Sequence, residues 1–218
     1  MTKKYKVIIF DWDGTIVNST GLIVRAIKEA ALIKGINLSD EKKISSVIGL
    51  GLDQAFYKLF SYLTKKEVIE LQGLYKDSYL KGINEISLFD GIEFGIKDLH
   101  RRGYKLAIAT GKSRRGLDMA LKQSGLESLF GITKTVDECF SKPHPQMANE
   151  ILDFYFARKD EALIIGDSSY DLQMAENSGV DSLGVTFGSQ RREELLKYKP
   201  KGVADNAYEI FEWIMRNE

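Results

Sequence analysis

The sequence contains few of the residues on which disulfides, catalytic thiols and histidine metal sites depend. Its 218 residues include one cysteine, two histidines and three prolines. The single cysteine, Cys139, excludes an intrachain disulfide and fits either a reducing compartment or a buried, small apolar side chain. A catalytic thiol has little support, because only His100 and His144 are available to activate it. Cysteine catalysis is therefore not expected.

The sequence also lacks an excess of either charge and a long apolar run. Lysine and arginine together number 31, as do aspartate and glutamate, so the formal net charge is zero. A general nucleic-acid binder would normally be basic, so we expect no nucleic-acid partner, although a local basic pocket is compatible with this balance. No apolar run approaches the roughly 18 residues that span a bilayer. The N-terminal run MTKKYKVIIFDWD reaches acidic residues too early for a signal peptide, and we expect a cytoplasmic protein without a membrane partner.

Short apolar runs alternate with helical patterns over most of the chain. The runs typical of buried strands are residues 7–10, 106–109, 163–165 and 183–187. Their nearly continuous apolar character is typical of parallel strands that are covered on both faces. The helical patterns between them lie near residues 91–102, 114–124, 145–157 and 170–178. This alternation predicts an α/β domain built on a doubly wound parallel sheet.

A long helical stretch interrupts this alternation between residues 20 and 84. Apolar residues recur there at helical spacing, as over residues 55–63, and no strand pattern separates them. We therefore expect an all-helical insertion after the first strand. The expected division is a helical domain of residues 18–85 and an α/β core formed by residues 1–17 and 86–218.

Polar residues follow the predicted strands at their carboxyl ends. The run FDWDGT places Asp11 and Asp13 after the first strand, Thr110 follows the second, and Asp167 follows a later one. In open α/β sheets this edge is where ligands bind, so these residues can converge. Residues two apart on an extended chain face the same side, so Asp11 and Asp13 can meet one ligand. Carboxylates so close together need a cation, and an oxygen-only ligand set is the one that Mg²⁺ prefers.

The other residues at this edge suit an anion. Thr110 offers a hydroxyl, and Gly111 offers a backbone amide at the start of a helix, where phosphate is favoured. Lys142 adds a positive charge on a stretch that two prolines stiffen. Asp171 lies one helical turn after Asp167 and adds another carboxylate. Carboxylates, a cation and a phosphate cradle together favour phosphoryl transfer through an aspartyl-phosphate.

Four motifs, in this order, resemble those of the haloacid dehalogenase-like superfamily. They are FDWDGT, the strand-end TGKS, the lysine of SKPHPQ, and GDSSYD. The match spans residues 7 to about 188 and is most similar to the phosphoglycolate phosphatase-like branch, whose small helical cap follows the first motif. The resemblance implies a Rossmann-like core with the helical insertion as its cap, and Mg²⁺ as cofactor. It also implies that Asp171 supports the metal or Lys142.

The resemblance implies a role for each of the remaining motif residues. Asp11 would be the nucleophile, and Asp13 the general acid and then the general base. The true dehalogenases of the superfamily lack an acid at the position of Asp13, so its presence favours phosphoryl transfer. Mg²⁺ would be held by Asp11, the backbone carbonyl of Asp13, and Asp167. Thr110 and Lys142 would bind the phosphoryl oxygens.

Several residues near these motifs have simpler interpretations. The segment 111–113 is not a P-loop, because Leu106 stands where that motif needs a glycine, and Lys112 is then expected to be solvated. The segment 48–54 would face the crevice according to the resemblance, or would form a turn between two helices. Trp12 points to the opposite side from its flanking aspartates by alternation, and we expect it to pack.

These observations combine into the prediction of a Mg²⁺-dependent phosphatase. Its substrate would be a small phosphorylated metabolite, such as a phosphoglycolate-like compound, a sugar phosphate or a nucleotide. The cap would select the substrate, and its sequence does not reveal which one. A phosphomutase with the same chemistry and a non-catalytic partner-binding protein on the same fold are the alternatives, and the intact set of motif residues disfavours the latter. The sequence does not predict an oligomeric state.

Overall fold

A six-stranded parallel sheet forms the centre of the computed structural model, which describes residues 4–217. The strands are β1 (Val7–Phe10), β2 (Lys105–Ala109), β3 (Ile132–Lys134), β4 (Ala162–Gly166), β5 (Asp181–Val185) and β6 (Gly202–Ala204). Their order across the sheet is β3-β2-β1-β4-β5-β6, and every neighbouring pair is parallel. The predicted doubly wound parallel sheet is therefore confirmed, with β1 between β2 and β4.

Helices connect the strands and form the inserted segment. They are α1 (Thr20–Ile33), α2 (Glu41–Ser45), α3 (Leu52–Leu59), α4 (Lys65–Lys81), α5 (Ile92–Arg101), α6 (Arg114–Ser124), α7 (Gln146–Tyr155), α8 (Ser169–Ser178), α9 (Arg192–Leu195) and α10 (Ala207–Arg216). Short 3₁₀ turns lie at Ile83–Glu85, Glu127–Leu129, Lys159–Glu161 and Leu196–Tyr198. Within the described residues, no helix has the length and apolar character that crossing a membrane requires.

Successive residues of β1 pack on opposite faces of the sheet. Ile8 and Phe10 belong to a core that includes Ile96 of α5, whereas Val7 and Ile9 belong to another. The second core contains Met147 and Ile151 of α7 together with Met174 and Ala175 of α8. Because both faces are covered, all four residues of β1 are buried and apolar, which explains the continuous apolar run in the sequence.

The helices α1 to α4 enclose an apolar core of their own, which includes Ile27, Phe56 and Leu71. The two chain segments that connect this helical unit to the sheet lie side by side. The Asn18 amide donates to the Ser87 carbonyl at 2.9 Å, and Val17 bridges to Leu88. The predicted boundaries after residues 17 and 85 fall at this pair of connections. The division into two domains stays a prediction, and we call the segment 18–85 the cap.

Stability should depend on the central strand far more than on exposed apolar residues of the cap. Ile9→Ala removes a fully buried side chain, so we expect it to lower the free energy of unfolding by about 2–5 kcal/mol. Ile69→Ala is the matched control, because Ile69 of α4 is 55% exposed, and its cost should stay below about 0.5 kcal/mol. Urea denaturation followed by circular dichroism measures both. Equal costs would contradict the placement of Ile9 in the core.

Candidate active site

The chain turns sharply at the end of β1 and brings Asp11 to the edge of the sheet. The Trp12 carbonyl accepts the Ile16 amide at 2.9 Å, and the Trp12 side chain is buried in the core, as expected from its alternation. Gly14 follows with a φ of +85°. A Cβ at Gly14 would lie 2.3 Å from Oδ2 of Asp167, so this turn requires glycine on two counts. The FDWDGT turn and the end of β4 therefore pack directly against each other.

A buried lysine joins two of the predicted carboxylates. The Lys142 ammonium donates to Oδ1 of Asp11 at 2.5 Å and to Oδ1 of Asp171 at 2.6 Å, and its side chain is fully buried. Burial alone lowers the pKa of Lys142, but the charges of Asp11 and Asp171 outweigh burial, and the pKa lies above its ordinary value. The lysine is therefore held as a cation beside Asp11.

The Asp167 carboxylate completes a buried acidic group at the end of β4. Its Oδ2 accepts the Ser189 amide at 2.6 Å, and its Oδ1 accepts the Thr15 hydroxyl at 3.3 Å. Burial, and then the charge of Asp171, raise the pKa of Asp167 to about 6. Burial also raises the pKa of Asp11 well above its usual range, against the opposing effect of its lysine partner. These carboxylates are thus costly to ionise without a further cation.

The acidic group fits a divalent cation. Carboxylate oxygens of Asp11, Asp167 and Asp171 all lie within 4.8 Å of one another. Oδ2 of Asp11 is buried and has no hydrogen-bond partner among the described residues. Three carboxylates and one ammonium leave two negative charges uncompensated, which is the charge of one divalent cation. A hard cation with oxygen ligands would supply both the missing charge and a partner for Oδ2.

Asp13 lies outside this buried group and has different partners. Its carboxylate accepts the Ser19 hydroxyl at 2.7 Å, and the Lys112 ammonium lies 3.0 Å from each of its oxygens. The expectation of a solvated Lys112 is therefore wrong. The Lys112 side chain is 13% exposed, because Tyr79 of α4 covers it and accepts a hydrogen bond from its ammonium at 3.1 Å.

The predicted phosphate loop lies between the sheet and the cap. Thr110 is buried, and its hydroxyl accepts the Lys112 amide at 3.2 Å. A Cβ at Gly111 would lie 2.5 Å from the backbone carbonyl oxygen of Leu50, so the cap backbone comes close enough to exclude any side chain there. Only glycine fits at position 111 in this arrangement.

The cap segment 48–54 forms one wall of a cavity of about 1130 Å³, which Asp11, Asp13, Thr110 and Gly111 also line. This supports the interpretation that the segment faces the crevice, and α3 begins within it at Leu52. The Gly51 amide donates to the Ser141 hydroxyl at 2.8 Å, next to the buried lysine. Residues of both the cap and the core therefore surround whatever enters the cavity.

All seven predicted site residues meet at the carboxyl edge of the sheet. The buried cluster consists of Asp11, Lys142, Asp167 and Asp171. The cavity wall beside it includes Asp13, Thr110 and Gly111. Their roles in catalysis and binding stay predictions, as does the contribution of the Asp13 carbonyl to a metal site. Sequence reasoning missed the contacts of Asp13 with Ser19 and Lys112. One feature of the sequence could have indicated the contact with Lys112. Lys112 lies two residues after Thr110, just as Asp13 lies two residues after Asp11.

The sequence and the fold agree with those of known proteins. The haloacid dehalogenase-like hydrolase family matches residues 8–185 of the chain. Two relatives named pyrophosphatase PpaX are each 26% identical: that of Bacillus cereus strain B4264 over 204 residues, 93% of both chains, and one of Bacillus anthracis over 208 residues, 95% of both. The chain belongs to the haloacid dehalogenase-like hydrolases, so the predictions of this family and of an enzyme are confirmed.

Solved structures have the same architecture. A structure described as a predicted phosphoglycolate phosphatase from Haemophilus somnus 129PT has a TM-score of 0.88 at 23% identity, over 98% of this chain and 99% of that one. A haloacid dehalogenase-like family hydrolase from Streptococcus pneumoniae has a TM-score of 0.81 at 26% identity, over 96% and 98% of the two chains. The agreement covers the cap as well as the sheet, since nearly the whole of each chain aligns.

Magnesium should stabilise the protein in a pH-dependent way. Without a cation, the raised pKa of Asp167 makes the folded state bind more protons than the unfolded chain, so stability falls as pH rises from about 4 to 6. At about 100 times its Kd, Mg²⁺ should add about 2.7 kcal/mol, or roughly 5–10 °C in Tm. The increase should be larger at pH 7.5 than at pH 5, where protons compete for the carboxylates. Differential scanning fluorimetry with and without MgCl₂ measures it.

The control for this prediction is Asp167→Asn, which preserves the shape of the side chain and removes its charge. We expect this variant to lose most of the Mg²⁺-dependent increase in Tm. An increase equal to that of the unmodified protein would rule out Asp167 as a cation ligand.

Proposed function

We propose that the protein is a Mg²⁺-dependent phosphatase that forms an aspartyl-phosphate on Asp11. The observation that carries this proposal is the state of the Asp11 carboxylate, which faces the cavity at the end of β1. One oxygen is held by the buried ammonium of Lys142, and the other has no hydrogen-bond partner among residues 4–217. A fixed carboxylate with a free oxygen beside a cation is suited to attack on a phosphoryl group.

The proposed reaction has two steps. An oxygen of Asp11 attacks phosphorus, the bond from phosphorus to the leaving oxygen breaks, and that oxygen takes a proton from Asp13. Asp13 then accepts a proton from a water molecule that attacks the same phosphorus, and the bond to Asp11 breaks to release inorganic phosphate. The Lys142 ammonium offsets the repulsion between Asp11 and the anionic substrate in both steps.

The remaining residues bind and orient the phosphoryl group. Thr110 and the Gly111 amide would contact its oxygens from the loop after β2, at the start of α6. Mg²⁺, when bound, would supply positive charge for the phosphoryl oxygens, and the residues that would hold it are Asp11, the Asp13 carbonyl and Asp167. The cap would exclude bulk water while the bond to Asp11 forms.

The substrate is proposed to be a small organic phosphomonoester. The Haemophilus somnus structure is described as a predicted phosphoglycolate phosphatase, which supports this class, and the name of the Bacillus relatives supports pyrophosphate as a second candidate. The cavity of about 1130 Å³ is slightly larger than most ligand pockets, so it has room for an organic group attached to the phosphate.

A panel of phosphate compounds tests this proposal directly. Inorganic phosphate release would be measured with Mg²⁺ for phosphoglycolate, sugar phosphates, nucleoside monophosphates, pyrophosphate and p-nitrophenyl phosphate. We expect release from at least one phosphomonoester with a kcat/KM above that for pyrophosphate. A higher value for pyrophosphate would select the second candidate. An isomerised sugar phosphate without free phosphate, or no turnover at all, would overturn the proposal.

Asp11→Asn should abolish turnover, because a neutral amide is a poor nucleophile. We expect kcat to fall at least about 10³-fold, while circular dichroism shows a folded protein. Asp153→Asn is the matched control, since Asp153 is exposed on α7, and its kcat should be unchanged. Near-normal activity of Asp11→Asn would contradict the proposed covalent step.

A further inference from the structure

Lys112 links the cap to the Asp13 carboxylate of the core. An ammonium has three N–H donors, and the Lys112 nitrogen lies within hydrogen-bond distance of three acceptors. These are Oδ1 and Oδ2 of Asp13, each at 3.0 Å, and the Tyr79 hydroxyl at 3.1 Å. The ammonium also lies 5.1 Å from the centre of the Tyr79 ring. Its donors are thus shared between one residue of the core and one of the cap.

The contact with Tyr79 exists because the cap lies against the core. Other contacts among the described residues also join the two parts. The Gly51 amide donates to Ser141 at 2.8 Å, and the Tyr170 hydroxyl donates to the Ser46 carbonyl at the same distance. Lys58 of α3 also donates to Tyr170 at 2.8 Å. If α4 moved away from the sheet, the hydrogen bond between Tyr79 and Lys112 would break, because Lys112 belongs to the core and would not move with α4.

We propose that Tyr79 is a positioning residue, supplied by the cap, that orients Asp13 through Lys112. The inference rests on the proposed function, in which Asp13 protonates the leaving oxygen. Two groups donate hydrogen bonds to the Asp13 carboxylate, the Ser19 hydroxyl and the Lys112 ammonium. The lysine side chain is long and flexible, so the position of its ammonium depends on both residues that accept hydrogen bonds from it, Asp13 and Tyr79. The Tyr79 hydroxyl accepts a hydrogen bond from the same ammonium nitrogen that contacts Asp13, and so helps to fix the position of that nitrogen.

The dependence on the leaving group distinguishes this role from a general structural one. An alkoxide leaves only with a proton, whereas p-nitrophenolate leaves readily without one, so the first step requires a well-oriented Asp13 only for alkyl phosphates. The second step, in which Asp13 accepts a proton from water, is common to both substrates and does not enter kcat/KM. Loss of the Tyr79 hydroxyl should therefore lower kcat/KM for an alkyl phosphate and spare kcat/KM for p-nitrophenyl phosphate.

The experiment compares Tyr79→Phe with Tyr75→Phe on two substrates with Mg²⁺. The alkyl substrate would be the phosphomonoester of highest kcat/KM in the panel, and the aryl substrate would be p-nitrophenyl phosphate. Tyr75 is a matched control, because its ring packs against that of Tyr79, with the ring centres 5.8 Å apart, but its hydroxyl makes no hydrogen bond to another described residue. We expect Tyr79→Phe to lower kcat/KM about 10-fold or more for the alkyl phosphate and less than about 3-fold for the aryl one. Tyr75→Phe should show no such selectivity.

A double-mutant cycle tests whether Tyr79 acts through Lys112. Lys112→Met should show the same selective loss, and Lys112→Met combined with Tyr79→Phe should be no slower than Lys112→Met alone. Equal losses on both substrates, or additive losses in the double variant, would overturn the positioning role while leaving the proposed function intact. If the unmodified protein hydrolysed neither substrate, the proposed function would fail and the inference with it.

Discussion

The ion pair between Lys142 and its two carboxylates is the interaction on which the site depends. Removing a lysine and two aspartates from water costs several kcal/mol per charge, and the cost is offset only where the geometry is close. Here the ammonium lies 2.5 Å from Asp11 and 2.6 Å from Asp171, inside a region that water does not reach. The arrangement nevertheless leaves the acidic group short of positive charge. The proposed binding of a cation would offset this shortage.

The parallel sheet explains how these charged side chains come together at one edge. Both faces of β1 are covered by helices, so its backbone is held rigidly and its carboxyl end opens at the edge of the sheet. The ends of β2 and β4 lie on either side of it. Residues that follow β2 and β4, about 100 and 150 positions after Asp11 in the sequence, therefore lie close to Asp11.

Predictions from the sequence were accurate where a site residue lies directly beside the apolar run that forms its strand. Asp11, Thr110 and Asp167 each follow an apolar run, so the position of the strand gave the position of the side chain. The short strands β3 and β6 were not predicted, because each has three residues and none of the six but Ala204 is buried, which leaves no apolar run. The helix α10 was not predicted either.

The interpretation of Lys112 failed for a different reason. Its neighbours in sequence are polar or small, and nothing local indicates burial. The residue that covers it, Tyr79, comes from another part of the chain and reaches it only after the cap has packed on the core. Contacts between distant segments of the chain depend on how those segments meet, and a pattern within either segment does not contain that information. The segment 48–54 was left with two interpretations for the same reason.

The paired connections between cap and core have a consequence for how such proteins change over evolution. Because Asn18 and Ser87 are hydrogen-bonded, the insertion leaves and re-enters the core at nearly the same point. Because the two ends of the insertion lie so close together, inserted chains of different lengths and shapes can connect them. One helical unit can therefore be exchanged for another while the sheet and its carboxylates stay as they are. Replacing one contiguous segment of the gene would in this way give the same carboxylates a different cavity wall.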